Sequence, residues 1–295
     1  LSSIARPYPA GRPPHARSLG EGIGELLARL GLLAVFLFLY APLVTIALFA
    51  LNDSTIQALP WAGFTTRWFE ALPADRSLVA AVRFGLTVAG ITVVVASIVG
   101  TLFAVILHGV RGRSSTVLQA AIVIPVVVPG LVLGLSLAIT FRSLGLQPGL
   151  LTVVLGHLTF TVPIVTLLVL TRLNRLDPAL AQASMDLGAG PVRTFLHVTC
   201  PQIRTAVLAA ALLTLTLSFD EVIVTYFLVG TEPTLPVHIW AQTRFGFTPS
   251  INAVVTLIGT LSVVLVVIAL RILERRSGAS GSPAATPIDH REGAP

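Results

Sequence analysis

Two neighbouring carboxylates, Asp220 and Glu221, stand inside a long apolar stretch and are the first residues of this sequence that could do chemistry. An ionised carboxylate at membrane depth is expensive, so such a pair faces a cavity or a partner. Two uses are open. The pair could replace hydration that a cationic solute loses, or its oxygens could be hydrogen-bonded or arginine-paired and hold helices together. His157 and Tyr226 also carry polar tips in apolar stretches, and each is either a satisfied packing group or part of a path lining. Ser136, after Gly134 and Leu135, could combine with His157 as a nucleophile and its base, but no strained glycine turn accompanies that serine.

The residue types that are missing exclude further chemistry. All 19 basic residues are arginine, which leaves no lysine for a phosphate-binding loop, a Schiff base or a general base. If ATP is used, another chain hydrolyses it. The single cysteine, Cys200, allows no internal disulfide and no multi-thiolate metal site. The six histidines are scattered without a His-x-x-x-His pair, so no metal site is expected. The formal charge of +6 could suggest nucleic acid in a soluble protein, but here the arginines cluster beside apolar segments and read as topology signals.

The elements that must position these residues follow from composition. The chain has 295 residues, 54% hydrophobic and 11% charged, with a mean hydropathy of +0.89. Soluble domains are about a quarter charged. Several apolar runs reach the roughly 20 residues that cross a hydrocarbon core. The expected fold is all-α and polytopic, with six spans at 30–51, 79–107, 117–141, 150–171, 205–229 and 251–270. Residues 1–29 are expected to be a largely disordered tail, 30–270 the spanning domain, and 271–295 a disordered C-terminal tail. A signal peptide would have an apolar region about half as long as the first run.

Arginine asymmetry orients the spans. Arg6, Arg12, Arg17, Arg29, Arg111, Arg113, Arg172, Arg175, Arg193, Arg204, Arg271, Arg275, Arg276 and Arg291 fall on one side, and only Arg67, Arg76, Arg83, Arg142 and Arg244 on the other. The positive-inside rule then puts both termini in the cytoplasm, and Trp61, Trp68 and Trp240 near outer span ends. Pro125, Pro129 and Pro163 lie within expected spans, as tolerated kinks or as parts of a gate.

The internal loop 172–204 is punctuated by residues with distinct backbone uses. Asp177 can cap a helix that starts with Pro178, and Gly188 supplies a left-handed stop. Gly190 and Pro191 start a second short helix, and Pro201 is expected to start span five. The result is two short helices around a tight turn, either an ordinary connection or a surface that lets a rigid partner approach.

Within that loop, Gln182-Ala183-Ser184-Met185-Asp186-Leu187-Gly188-Ala189, followed by Pro191, Phe195, Val198 and Pro201, resembles the EAA loop of ABC importer permeases. The family pattern has Glu-Ala-Ala, three residues, Gly, nine residues and then Ile-x-Leu-Pro. The Gly188 to Pro201 spacing matches, while Gln182, Ser184, Val198 and Cys200 depart from it. Trp61-Ala62-Gly63-Phe64-Thr65 before Trp68-Phe69, Ser218-Phe219-Asp220-Glu221-Val222, Leu235-Pro236-Val237-His238-Ile239-Trp240 and Pro249-x-Ile251-Asn252-Ala253 are similar to the second permease subunit of spermidine/putrescine-type importers.

The resemblance implies a type I ABC importer permease of MetI-like fold in a bacterial inner membrane, with no catalytic site and no directly bound cofactor. It implies a second permease subunit in a heterodimer, two cytosolic ATPases that use ATP and Mg, and a periplasmic solute-binding protein. Coupling would fall to Gln182, Ala183, Ser184, Asp186, Leu187, Gly188, Pro191 and Pro201. The solute path would fall to Asp220, Glu221, Tyr226 and His157, with a polyamine or similar cation as solute. A channel or secondary transporter working without ATP is the alternative.

Overall fold

A backbone crossing lipid has to satisfy its own N–H and C=O groups, and a helix does so within one segment. The computed structural model describes residues 19–56, 59–110, 112–244 and 248–278, and it is helical throughout its long apolar runs. Among the described residues the only extended pairing is an isolated bridge between Asn52 and Phe64. The chain divides into two units, one made of residues up to Phe69 together with those from Thr248 on, the other of Glu70–Phe247.

In the first unit, α1 (Leu19–Ala50) packs along α12 (Pro249–Gly278). The side chains of α1 are almost all apolar and exposed, as a lipid-facing span requires. Residues 19–29, expected as part of a disordered tail, are helical. An i, i+4 pair between Glu25 and Arg29 supports that extension. Residues 271–278 are helical as well. The rest of the expected tails, 1–18 and 279–295, lies outside the described residues, as does Arg111. After α1, the Asn52 Oδ1 accepts the Ala62 N–H, the Trp68 indole N–H donates to the Asn52 carbonyl, and Arg67 pairs with Asp53 at 2.7 Å. The helix α2 (Arg67–Ala71) follows.

The core of the second unit is a trio of long helices packed pairwise: α3 (Arg76–Gly109), α6 (Leu150–Leu173) and α9 (Cys200–Asp220). Asp75 starts α3 by accepting the backbone N–H groups of Ser77 and Leu78. The buried face of α3 is a run of small residues at helical spacing, Ala81, Gly85, Ala89, Ala96, Gly100 and Ala104. Small residues let backbones approach where lipid offers no hydrophobic drive between helices. At Gly100 the approach is close enough that a Cβ would stand 2.7 Å from the Cβ of Val165 on α6.

The third expected span is not straight. Residues 113–143 form α4 (Arg113–Val127) and α5 (Gly130–Ser143), which meet at a 96° bend. Pro129 causes it: Val128 before it is extended, with ψ 130°, and Pro129 becomes the N-cap of α5. Pro125 and Pro163 stay inside unbroken helices, and both line one apolar cleft of about 410 Å³ with Val95, Val99, Phe103 and Ile122.

Span five also differs from its expected limits. The short helix α8 (Pro191–Thr194) runs through a π-helical turn, Phe195–Thr199, straight into α9, so Pro201 lies within a continuous helix and does not start one. A proline cannot donate to the carbonyl four residues back and collides with it, and the wide turn at Phe195–Thr199 carries the chain past that collision. At its other end α9 stops at Asp220, and a separate helix α10 (Ile223–Leu228) begins three residues later. Among the described residues four helices are long and apolar enough to span a membrane, and the bent α4–α5 pair would make a fifth. In α12 the described apolar part, Pro249–Leu261, is shorter than a span.

Candidate functional site

Two helix interruptions meet in the second unit. One is the bend at Val128–Pro129, the other the break at Glu221–Val222, where Glu221 is extended with ψ 119°. Helix α5 packs on α10, and a Cβ on Gly130, the first residue of α5, would be in ordinary contact with Ile223, the first residue of α10, at 3.8 Å. One turn on, a Cβ at Gly134 would stand 2.9 Å from the Phe227 ring. Irregular backbone survives at membrane depth only where protein buries it or a polar cavity receives it, so paired breaks mark a site by their cost alone.

Asp220 and Glu221 stand on the second of these breaks. They were expected as neighbours on one continuous helix, and the break gives them different work. The Glu221 carboxylate turns back on the chain and accepts the Val224 N–H at 2.9 Å. It satisfies an orphan donor at the start of α10 and opposes the positive end of that helix. Asp220 is the last residue of α9, at the negative end of a 21-residue helix, and it is exposed. Among the described residues its carboxylate has no hydrogen-bond or ion-pair partner. The apparent pair is therefore one capping carboxylate and one free one.

His157 lies on α6 and is fully buried. Its Nδ1 is 2.7 Å from the Ser218 hydroxyl and its Nε2 is 2.8 Å from the Thr225 hydroxyl. Both ring nitrogens are thus engaged within the subunit, and Ser136, which is exposed on α5, is not its partner. Tyr226 is 44% exposed and meets Phe227 and Trp240 edge-on, with ring centroids 5.6 and 5.1 Å away. Trp240 belongs to α11 (Leu235–Thr243), and the Arg244 guanidinium covers its ring at 4.5 Å. His238 and Gln242 pair with each other on the same helix.

The loop 172–204 has the expected punctuation. Asp177 accepts the Ala179 N–H at 2.9 Å and starts α7 (Pro178–Asp186), with Pro178 as its first residue. Gly188 has φ +88°, the Ala189 N–H donates to the Ser184 carbonyl, and the Gly188 N–H donates to the Met185 carbonyl. That is a Schellman stop, which fixes the direction in which the chain leaves α7. The Ser184 and Thr194 hydroxyls, 3.1 Å apart, tie α7 to α8. Arg172 at the end of α6 donates to the Gln202 carbonyl and anchors the far side. Gln182, Ala183, Asp186, Leu187, Gly188, Pro191 and Pro201 are all exposed. So are several apolar side chains, with Leu187 at 90% and Val192 at 73%. Exposed apolar side chains on an element held this way are of the kind that another protein can cover.

The residues missed in the sequence are those that act through the fold. Ser218 and Thr225 are noticed only once His157 lies between them. The Pro129-Gly130 dipeptide is a turn signal, but Pro125 in the same expected span and Pro163 in the next carry the same local cost without a break.

A family model described as a binding-protein-dependent transport system inner membrane component matches residues 96–278. The putrescine transport system permease protein PotI of Escherichia coli is 37% identical over 235 residues, covering 77% of this chain and 83% of the relative. The spermidine/putrescine transport system permease protein PotC of Escherichia coli is 32% identical over 246 residues, covering 83% of this chain and 93% of the relative. Among solved structures, a bacterial ABC transporter involved in the import of the acidic polysaccharide alginate aligns with a TM-score of 0.64 at 16% identity, over 88% of this chain and 98% of the other. At that identity the likeness is one of fold.

Proposed function

The chain belongs to the binding-protein-dependent transport system inner membrane components, the permeases of ABC importers, and on that premise we propose that it forms part of the path for a polyamine of the putrescine or spermidine class. The observation that carries the choice of a cation is the free Asp220 carboxylate at the C-terminal end of α9, beside the crossing of two helix breaks. A helix C-terminus carries about half a negative charge, which adds to the aspartate and favours an ammonium group. Glu221 contributes little to that field, because its charge is opposed by the start of α10. Tyr226, 44% exposed and six residues after Asp220 in the chain, offers an aromatic ring of the kind that receives cations.

The remaining parts of the mechanism fit the same reading. The α7–α8 element, closed by Gly188 and tied by Ser184 to Thr194, docks into a cytosolic ATPase through Leu187, Val192 and the exposed residues around Gln182 and Ala183. Movement of that ATPase is passed along the continuous helix from Pro191 to Asp220, so the docking element and the α9–α10 break lie at opposite ends of one lever. The chain itself performs no catalysis. Two ATPase subunits bind ATP and Mg, a second permease subunit completes the path, and a periplasmic binding protein delivers the solute. The arginine asymmetry supports six spans with both termini cytoplasmic.

The test separates the two carboxylates in transporter reconstituted with its partners. Asp220→Asn should raise the half-saturating putrescine concentration about tenfold, the scale of one desolvated charge contact. Glu221→Gln keeps an oxygen acceptor for Val224 and should change it by less than about threefold. Equal effects of the two changes, or no effect of Asp220→Asn, would remove Asp220 from the path.

A further inference from the structure

The Thr225 hydroxyl has one hydrogen, and it is spent on the Glu221 carbonyl at 2.9 Å. Towards the imidazole its oxygen is therefore an acceptor, so Nε2 of His157 carries the hydrogen. In the neutral ring Nδ1 is then the acceptor, and the Ser218 hydroxyl donates to it. A directed chain results, from Ser218 through the neutral ring to Thr225 and on to the Glu221 carbonyl. It runs from two residues before Asp220 to the carbonyl of the residue just after it. Ser218 belongs to the last turn of α9, Thr225 to the first turn of α10, and His157 to the N-terminal third of α6. The three polar side chains are buried within the chain.

A broken helix has no internal hydrogen bonds across its gap, so its two parts are free to hinge unless something outside ties them. Resting on the reading above, in which Asp220 meets the solute, we infer that His157 is a positioning residue: it fastens both sides of the α9–α10 break to α6 and thereby sets where the Asp220 carboxylate points. The ring does not touch the solute. Its two nitrogens are both used, one on a hydroxyl of α9 and the other on a hydroxyl of α10. A phenylalanine of the same shape would fill the space and leave both hydroxyls without a ring partner.

The experiment uses the complete transporter, and two readouts keep the inference apart from the choice of substrate. With putrescine as probe, His157→Phe, Ser218→Ala and Thr225→Val should each raise the half-saturating concentration about fivefold, the scale of one buried hydrogen bond, while the maximal rate is largely kept. The combined His157→Phe and Thr225→Val change should be no worse than His157→Phe alone, and Thr225→Ser should restore the parent value. Additive losses, or single changes without effect, would overturn the inference. The second readout needs no solute. In a Cys200→Ser background, Asp220→Cys is labelled with a water-soluble maleimide, and His157→Phe should alter that rate severalfold while leaving Thr216→Cys unchanged. If the parent takes up no putrescine but this shift is seen, the polyamine reading fails and the positioning role stands. An unchanged rate at position 220, or an equal shift at both positions, refutes the positioning role whatever the solute. Should His157→Phe fail to assemble, Ser218→Ala and Thr225→Val, which each remove one contact, decide by the same two readouts.

Discussion

The stop at Gly188 makes a prediction whose order of effects is unusual. Its φ of +88° lies where an L side chain is strained, and a Cβ built there meets nothing within 4 Å. Any loss on substitution must therefore come from backbone conformation and not from collision. Alanine should cost about 1–2 kcal/mol, the general penalty for a left-handed residue. Valine should cost more, because a branched Cβ tolerates that region least. Asparagine, although larger than alanine, should cost least, because its side chain supports the left-handed conformation. If the cost is paid in the correctly closed α7–α8 element, alanine lowers the closed-to-open ratio by about 5- to 30-fold. The assay is ATP hydrolysis stimulated by the loaded binding protein in reconstituted vesicles, with insertion checked separately. Stimulation should fall in the order asparagine, alanine, valine. An order that followed side-chain size, or three variants with parental stimulation, would refute the conformational argument and the coupling role of the turn together.

Three further outcomes follow from other parts of the molecule. Gly100→Leu should lower the thermal stability of the solubilised protein by about 1–3 kcal/mol, because Val165 stands 2.7 Å from the added Cβ, and Val165→Ala should recover part of it; an unchanged melting temperature would contradict the close packing of α3 on α6. Asp75→Ala should cost about 1 kcal/mol through loss of the α3 cap. The Ser77 hydroxyl, with the Leu78 and Ser77 N–H groups, holds the Asp75 carboxyl below its ordinary 3.8. A lowered folded-state pKa means that the ionised form's contribution is present above the unfolded value and lost as pH falls through the folded one, so parent and variant should converge in acid; a gap that stays constant would contradict this. Reporter fusions after Arg113, Arg193 and Arg276 should read cytoplasmic and fusions near Asp75 and Thr231 periplasmic, and a periplasmic signal after Arg276 would overturn the orientation.

The sequence by itself determined what short-range backbone chemistry controls. Asp177, Pro178 and Gly188 shape α7 because a cap, a donorless first residue and a left-handed stop act within one turn of chain. Run length and arginine asymmetry likewise need no partner helix. The spans were less legible, because almost every residue in them is apolar whether it faces lipid or another helix, and periodicity carries little information. Pro125, Pro129 and Pro163 each remove a donor, yet only Pro129 breaks its helix, at a point where Gly130 packs on Ile223 of α10, and the local sequence does not tell the three prolines apart. The same holds for Asp220 and Glu221. Adjacent in sequence, they became a free charge and a cap when α9 ended between two hydroxyls, Ser218 and Thr225, that His157 holds from another helix. A bond between residues 61 and 68 positions apart has no local signature; only tertiary packing, which decides which polar tip is buried beside which, could place it.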